Sequence, residues 1–314
     1  MRCDLHVHST RSGRVDLPLL SHLGNECYST PQAIYDRCHN VGMDLVTITD
    51  HDTVEGALEI AGLPGVFISE EVTLHLPGER RLHVGVLDID SQQHARLTAL
   101  RQDAEAFFAY CAEQRLPVCV NHPFSASAGP RQLSDLDLAF RHATLVETQN
   151  GMLPDRTNSY AAWAAEAAGL RGVGGSDAHT LTSIGHAHTE VPGARSQSEF
   201  VEGLRCGWTL PRGRGGSYAR FTADIVRVLA LACEANLGEA RRSLPAAGRA
   251  AALLSLLPAL PLLPLISAFQ YGRDRIFAAA HFGRFRAACG TGLQPRRPRV
   301  GGIVGAGAPA GAMG

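Results

Sequence analysis

The chain has 314 residues, 45% of them hydrophobic, and a formal net charge of −1. That is enough for one large domain with an appendage, and a charge so near zero offers no basic field to favour nucleic acid. All basic residues are arginine, and eight cysteines at 3, 27, 38, 111, 119, 206, 233 and 289 form no C-x-x-C pair, which suits thiols in a reducing compartment rather than a disulfide framework.

Met1 runs almost directly into an apolar stretch with no basic leader, so the expected location is cytoplasmic. Strands are predicted over residues 2–7, 45–49, 66–73, 82–87, 117–121, 144–148 and 170–175. Each is apolar enough to be covered on both faces, as parallel strands are. Between them lie helical patterns. Thr30 and Pro31 offer an N-cap and a proline in the first turn for a helix running to Gly42. Further helices are expected over 91–113, 158–168 and 198–206. This alternation predicts an α/β fold, either a parallel barrel or an open sheet.

The texture changes at residues 211–217, PRGRGGS, which read as a solvated hinge. A helix is expected over 221–240. Residues 250–269, AAALLSLLPALPLLPLISAF, carry no charge, and arginines flank them. The length suits a membrane span, but Pro258, Pro261 and Pro264 oppose a straight helix. Three readings stay open: a hairpin at the membrane surface, a span, or a segment buried against protein or a partner. The first would make the protein peripheral at the membrane. Residues 291–314 are rich in glycine, alanine and proline and are expected to be disordered. The expected units are therefore 1–213, a barrel; 214–249, linker and helix; 250–270, the apolar segment; and 271–314, a basic helix and tail. Cutting after about residue 217 is expected to leave a soluble barrel.

The polar residues fall in a pattern on these strands. His6 and His8 close the first strand, and period two puts both on one face. Asp50, His51 and Asp52 end the second strand. Glu70 and Glu71 lie on the third, Asn121 and His122 end the fifth, Glu147 is on the sixth, and Asp177 and His179 follow the seventh. His83, at the start of the fourth strand, is the exception. The C-terminal ends of parallel strands are where α/β barrels build sites. A set of imidazoles and carboxylates without thiolate suits zinc, manganese or iron in hydrolytic chemistry.

The ordered motifs DLHVHS, TITDHDT, SEEVT, HVGV, NHPF and GGSDAHT resemble those of the PHP (polymerase and histidinol phosphatase) family over about residues 1–213. The resemblance implies a distorted (β/α)7 barrel with a helical, apolar C-terminal extension, two or three divalent metal ions, and phosphoesterase activity. The run from GNECYSTPQAIYDRC onward is similar to a subgroup found alongside glycosyltransferases. Carried over by motif, His6, His8, Glu71 and Asp177 would hold one metal. Glu71 would bridge to a second, held also by His83 and His122. His51 and His179 would face a third. Glu71 is chosen over Glu70 because Val72-Thr73 follow it as in the family. Asp50 would orient an imidazole, and His179 could assist the leaving group. In place of a further family ligand stand Ser12 and Gly13, with Asp16, His22 and Glu26 in the following insertion as substitutes. Arg11 is a candidate phosphate clamp.

The implied function is hydrolysis of a phosphate ester of a small metabolite by attack of a metal-bridging hydroxide. The alternative is a metal-stabilised scaffold that contacts a glycosyltransferase or a membrane surface through residues 250–270.

Overall fold

The computed structural model describes residues 1–13, 25–243 and 262–290. Asp16, His22 and residues 250–261 and 291–314 lie outside the described residues.

The fold is mixed α/β. Strands β1 (Arg2–Cys3), β7 (Ala187–Glu190) and β8 (Leu210–Gly213) form one antiparallel sheet in the order β1-β7-β8. Strands β2 (Ser69–Leu76), β3 (Arg80–Leu87), β4 (Val118–Val120), β5 (Leu145–Asn150) and β6 (Arg171–Gly175) form a second sheet in chain order. Only β4-β5-β6 is parallel; β2-β3 and β3-β4 are antiparallel. The expectation of an all-parallel sheet fails here for a local reason. Pro77-Gly78-Glu79 turns the chain in three residues, with Gly78 and Glu79 at φ of 76° and 57°, and so short a link cannot carry a crossover helix. The sheet ladders do not close into a barrel among the described residues.

The first two predicted strands are extended segments rather than ladders. Single parallel bridges join Val7 to Ala178, Val46 to Val66 and His51 to Glu71. The amide of Thr49 also donates to the carbonyl of Val7 at 2.8 Å.

Helix α1 (Pro31–Asn40) starts where Thr30 caps the amide of Ala33. Helix α2 (Glu55–Ile60) was not expected from the sequence. The predicted helix over 91–113 is two, α3 (Ser91–Leu100) and α4 (Ala104–Glu113). Asp103 ends the continuity by capping the amide of Ala106, since an aspartate accepts that orphan donor better than it propagates a helix. Helices α5 (Leu133–His142), α6 (Asp155–Ala168) and α7 (Gln197–Cys206) complete the outer layer. Helices α8 (Tyr218–Ser243) and α9 (Leu263–Gly290) follow.

Residues 211–217 are not a free hinge. Pro211, Arg212 and Gly213 pair with Thr189, His188 and Ala187, and Gly216 bridges Pro154. Nor does α9 stand apart: Ala278 and Phe285 belong to the largest core cluster. The rings of Phe282 and Phe285 meet Phe124 edge-on at 5.7 and 5.9 Å. No helix among the described residues is long and apolar enough to cross a membrane.

Candidate metal centre

The centre forms around one carboxylate. Glu71, in β2, is fully buried. His6 Nε2 lies 3.1 Å from its Oε2, His51 Nδ1 3.3 Å and His8 Nε2 3.5 Å. On its other oxygen, His122 Nε2 lies at 3.0 Å and His83 Nδ1 at 3.4 Å. Burial alone would raise the Glu71 carboxyl, but His6, His51, His83 and His122 hold it well below the usual carboxylate range.

Glu70, its neighbour, points to the opposite face, as strand alternation demands. It accepts from His94 of α3 at 2.9 Å. The antiparallel turn explains the exceptional position of His83. Thr73 of β2 pairs with His83 of β3, so the start of the reversed strand lies beside the advancing end of its partner.

His6 and His8 project from an extended segment fastened on both sides. The amide of His8 donates to Ala178 O at 3.1 Å and that of Asp177 to His6 O at 2.8 Å. Gly175 leaves space for this segment, since a Cβ there would lie 2.4 Å from His6 Cβ. Asp177 Oδ1 is 3.4 Å from His8 Nε2 and 3.6 Å from His6 Nε2. Among the described residues, four groups of ligand atoms lie close enough to hold an ion: His6, His8 and Asp177; His6, Glu71 and His122; His51, Glu71 and His83; and His8, Glu26 and His51. Of the three substitutes expected from the insertion, Glu26 is the one that the described residues place here. Its Oε1 lies 3.8 Å from His51 Nε2.

The donor set fits divalent cations. Nε2 of His8, Nδ1 of His51, Nδ1 of His83 and Oε1 of Glu26 are buried without a hydrogen-bond partner, a costly state for polar atoms unless something else meets them. Burial pushes the His8 and His83 imidazoles down to about 4. They are therefore neutral at pH 7, with the lone pairs a cation needs.

Some residues hold the ligands from behind, a role the sequence pattern did not assign to them. Glu147 Oε1 accepts from His6 Nδ1 at 2.9 Å, which turns Nε2 toward Glu71. Ser12 Oγ lies 2.9 Å from His8 Nδ1 and accepts the amide of His51 at 3.1 Å. Asn150 Nδ2 donates to Asp177 Oδ2 at 3.1 Å, and Asn121 Nδ2 to Glu71 Oε1 at 2.9 Å. The neighbourhood of Glu147 and Asn150 in ETQN was the available signal; that of Ser12 was only its nearness to His8.

Three expected roles change. Among the described residues Asp50 reaches no imidazole; its oxygens accept from the amide and hydroxyl of Ser9, both at 2.6 Å. It points beneath Gly56 of α2, where burial raises it to about 6. Arg11 is spent on Glu59, with Nε 2.5 Å from Oε1 on the exposed surface. His179 belongs to none of the four ligand groups. Its ring lies 4.6 Å from that of His8, and its Nδ1 donates to Asp177 O at 3.0 Å.

A family model described as PHP-associated matches residues 155–209. The structure is similar to that of a two-domain protein from Bacteroides vulgatus containing a predicted PHP-like metal-dependent phosphoesterase. The two share 18% identity, with 74% of this chain and 70% of that one covered and a TM-score of 0.52. Residues 155–209 thus match a PHP-associated family, and the fold resembles that of a protein with a PHP-like domain. Similarity extends to PsfC from Pseudomonas syringae, at 20% identity over 78% of this chain and 98% of that one, TM-score 0.46. It extends also to a proposed metal-dependent phosphoesterase from Bifidobacterium adolescentis, at 17% identity over 57% and 88%, TM-score 0.43. No curated protein matches the sequence. The likeness to the Bacteroides vulgatus structure is one of fold.

Proposed function

We propose that this chain carries a PHP-family domain that hydrolyses phosphate esters of small metabolites with two or three divalent cations, manganese, zinc or iron. The observation that carries the reading is the convergence of His6, His8, His51, His83 and His122 on Glu71. His6, His8 and Asp177 would hold one ion, and Glu71 would share others with His122, His51 and His83, with Glu26 joining His51. Bound there, divalent cations supply Lewis-acid polarisation of a phosphoryl oxygen and a water of lowered pKa.

The chain's own residues do the rest. Glu147 holds the His6 ring in one tautomer and direction, and Ser12 holds the direction of the His8 ring. With its Nδ1 proton given to the Asp177 carbonyl, His179 has Nε2 as the atom that would first take up a proton and then pass it to a leaving oxygen. The mouth is open where this is needed: the side chains of His179, His51 and Asp177 are 24%, 23% and 15% exposed. A site that only braces a scaffold is closed on all sides, so this opening favours the enzyme reading.

The test is phosphate release from a panel of mono- and diesters with manganese or zinc, for wild type and Asp177→Asn in parallel. Turnover is expected in the wild type and is expected to fall by about 100-fold or more in the variant. Metal-loaded protein whose activity survives His6→Ala would sink the proposal.

A further inference from the structure

The ligand-bearing loops are tied to α8 and α9 by two carboxylates, Asp224 buried and Asp274 half-buried. His122 lies past the end of β4 at φ 28°, and Asp177 past the end of β6 at φ 55°. Non-glycine residues hold such backbone only where their surroundings over-determine it. After His122, Asp274 Oδ1 of α9 accepts from both Ser125 Oγ and the amide of Ala126 at 2.7 Å. Ser125 Oγ accepts the amide of Ser127 at 3.2 Å, and Ser127 Oγ lies 3.2 Å from His122 Nδ1. With its Nδ1 proton turned to Ser127 Oγ, His122 would keep the Nε2 lone pair for the centre. After His179, Asp224 of α8 accepts from Thr180 Oγ1 at 3.0 Å and Ser183 Oγ at 2.7 Å. Asp224 is itself buried and is joined by Arg227 at 3.1 Å. Arg131 steadies the first of these loops from beneath, donating to the carbonyls of Pro123 and Ser125 while its guanidinium sits over the Phe277 ring.

We propose that α8 and α9 are positioning elements of the metal centre: Asp274 holds His122 through Ser125 and Ser127, and Asp224 holds the loop that carries Asp177 and His179. This rests on the metal-dependent reading above and extends it to residues outside the motif-bearing part of the chain. A carboxylate accepting two short hydrogen bonds fixes a loop more firmly than neutral partners do, and groups that orient ligands tune affinity for the ion.

The experiment uses the full chain stripped of metal. It is titrated with zinc against a chromophoric chelator, and with cobalt, whose visible bands report the ligand field. Asp274→Ala is expected to weaken zinc by about 10-fold and to shift the cobalt bands. Asp274→Asn, which keeps an acceptor oxygen, is expected to recover most of both. Asp224→Ala is expected to weaken binding independently, so that its effect adds to that of Asp274→Ala. Ser127→Ala is expected to copy the cobalt shift of Asp274→Ala and to add little to it, because both cut one chain of hydrogen bonds. If Asp274→Ala does not fold, Ser127→Ala decides the matter for that loop. Folded variants with wild-type zinc affinity and cobalt bands would overturn the positioning role. A wild-type chain that takes up no zinc, cobalt or manganese overturns the metal reading itself, a different result.

Discussion

Side chains reach the centre by two routes. Glu71 and His83 ride on paired strands, and His6 and His8 on a segment hydrogen-bonded on both sides. His122, Asp177 and His179 lie beyond strand ends, on loops gripped by α8 and α9. The first group has its direction set by the backbone, because pleating points alternate residues to one face whatever the side chains nearby. The second lies outside the named strands: Asp177 is bonded through its backbone to the His6 segment, and both loops are further held by side chains 41 to 149 positions away along the chain. A site built this way depends in part on the contact of these loops with α8 and α9.

Ending the chain after Ser217 gives the largest expected effect on that contrast. It removes Asp224, Asp274 and the rings that cover Phe124 and Phe140. Apolar surface so uncovered is expected to make the truncated protein aggregate, measured by gel filtration. A monomeric truncation with wild-type metal affinity would show that the two routes are equivalent. Phe285→Ala is the gentler version. Phe285 is 5% exposed and packs against Phe124, Phe140 and Trp163, so the loss is expected near 3 kcal/mol in urea unfolding. The smallest effect lies on the outer face of the strand-borne half. Its hydrogen bond to Glu70 raises the His94 imidazole against the pull of burial, and burial raises Glu70. A histidine raised above its unfolded value lends stability below about pH 6.5, and that stability is lost as pH climbs through the folded value. The stability difference between wild type and His94→Gln is therefore expected to shrink from pH 6 to 8.5. A difference that grows would contradict the pairing.

The strand-borne half was the legible half. Period two placed His6 beside His8 from six letters of sequence, and the Val72-Thr73 that follow Glu71 separated it from Glu70. Direction was less legible: nothing in the run of apolar residues told parallel from antiparallel, so His83 looked misplaced until the three-residue turn after β2 was seen. Asp50 misled because it adjoins His51 in sequence, yet neighbours on an extended chain face opposite ways. The grip of Asp274 and Asp224 left no local trace at all. A carboxylate on a helix reads as a solvated charge, and only the folded chain brings it to Ser125 or Thr180. Strands β7 and β8 were hidden for a related reason, since AHTE and LPRG lack the β-branched, apolar composition that marks a strand.

Gly175 carries a consequence for anyone reshaping this mouth. The spacing between β6 and the histidine segment is one hydrogen atom wide at that point, since an added Cβ would fall 2.4 Å from His6 Cβ, 2.9 Å from His6 N and 3.0 Å from Glu147 Oε1. The position works as a shim. Thickened by a single methyl group, it would push the first imidazole and its aligning carboxylate outward together, with every ligand left chemically unchanged. A library aimed at new substrates must therefore keep residue 175 bare as well as the ligands themselves.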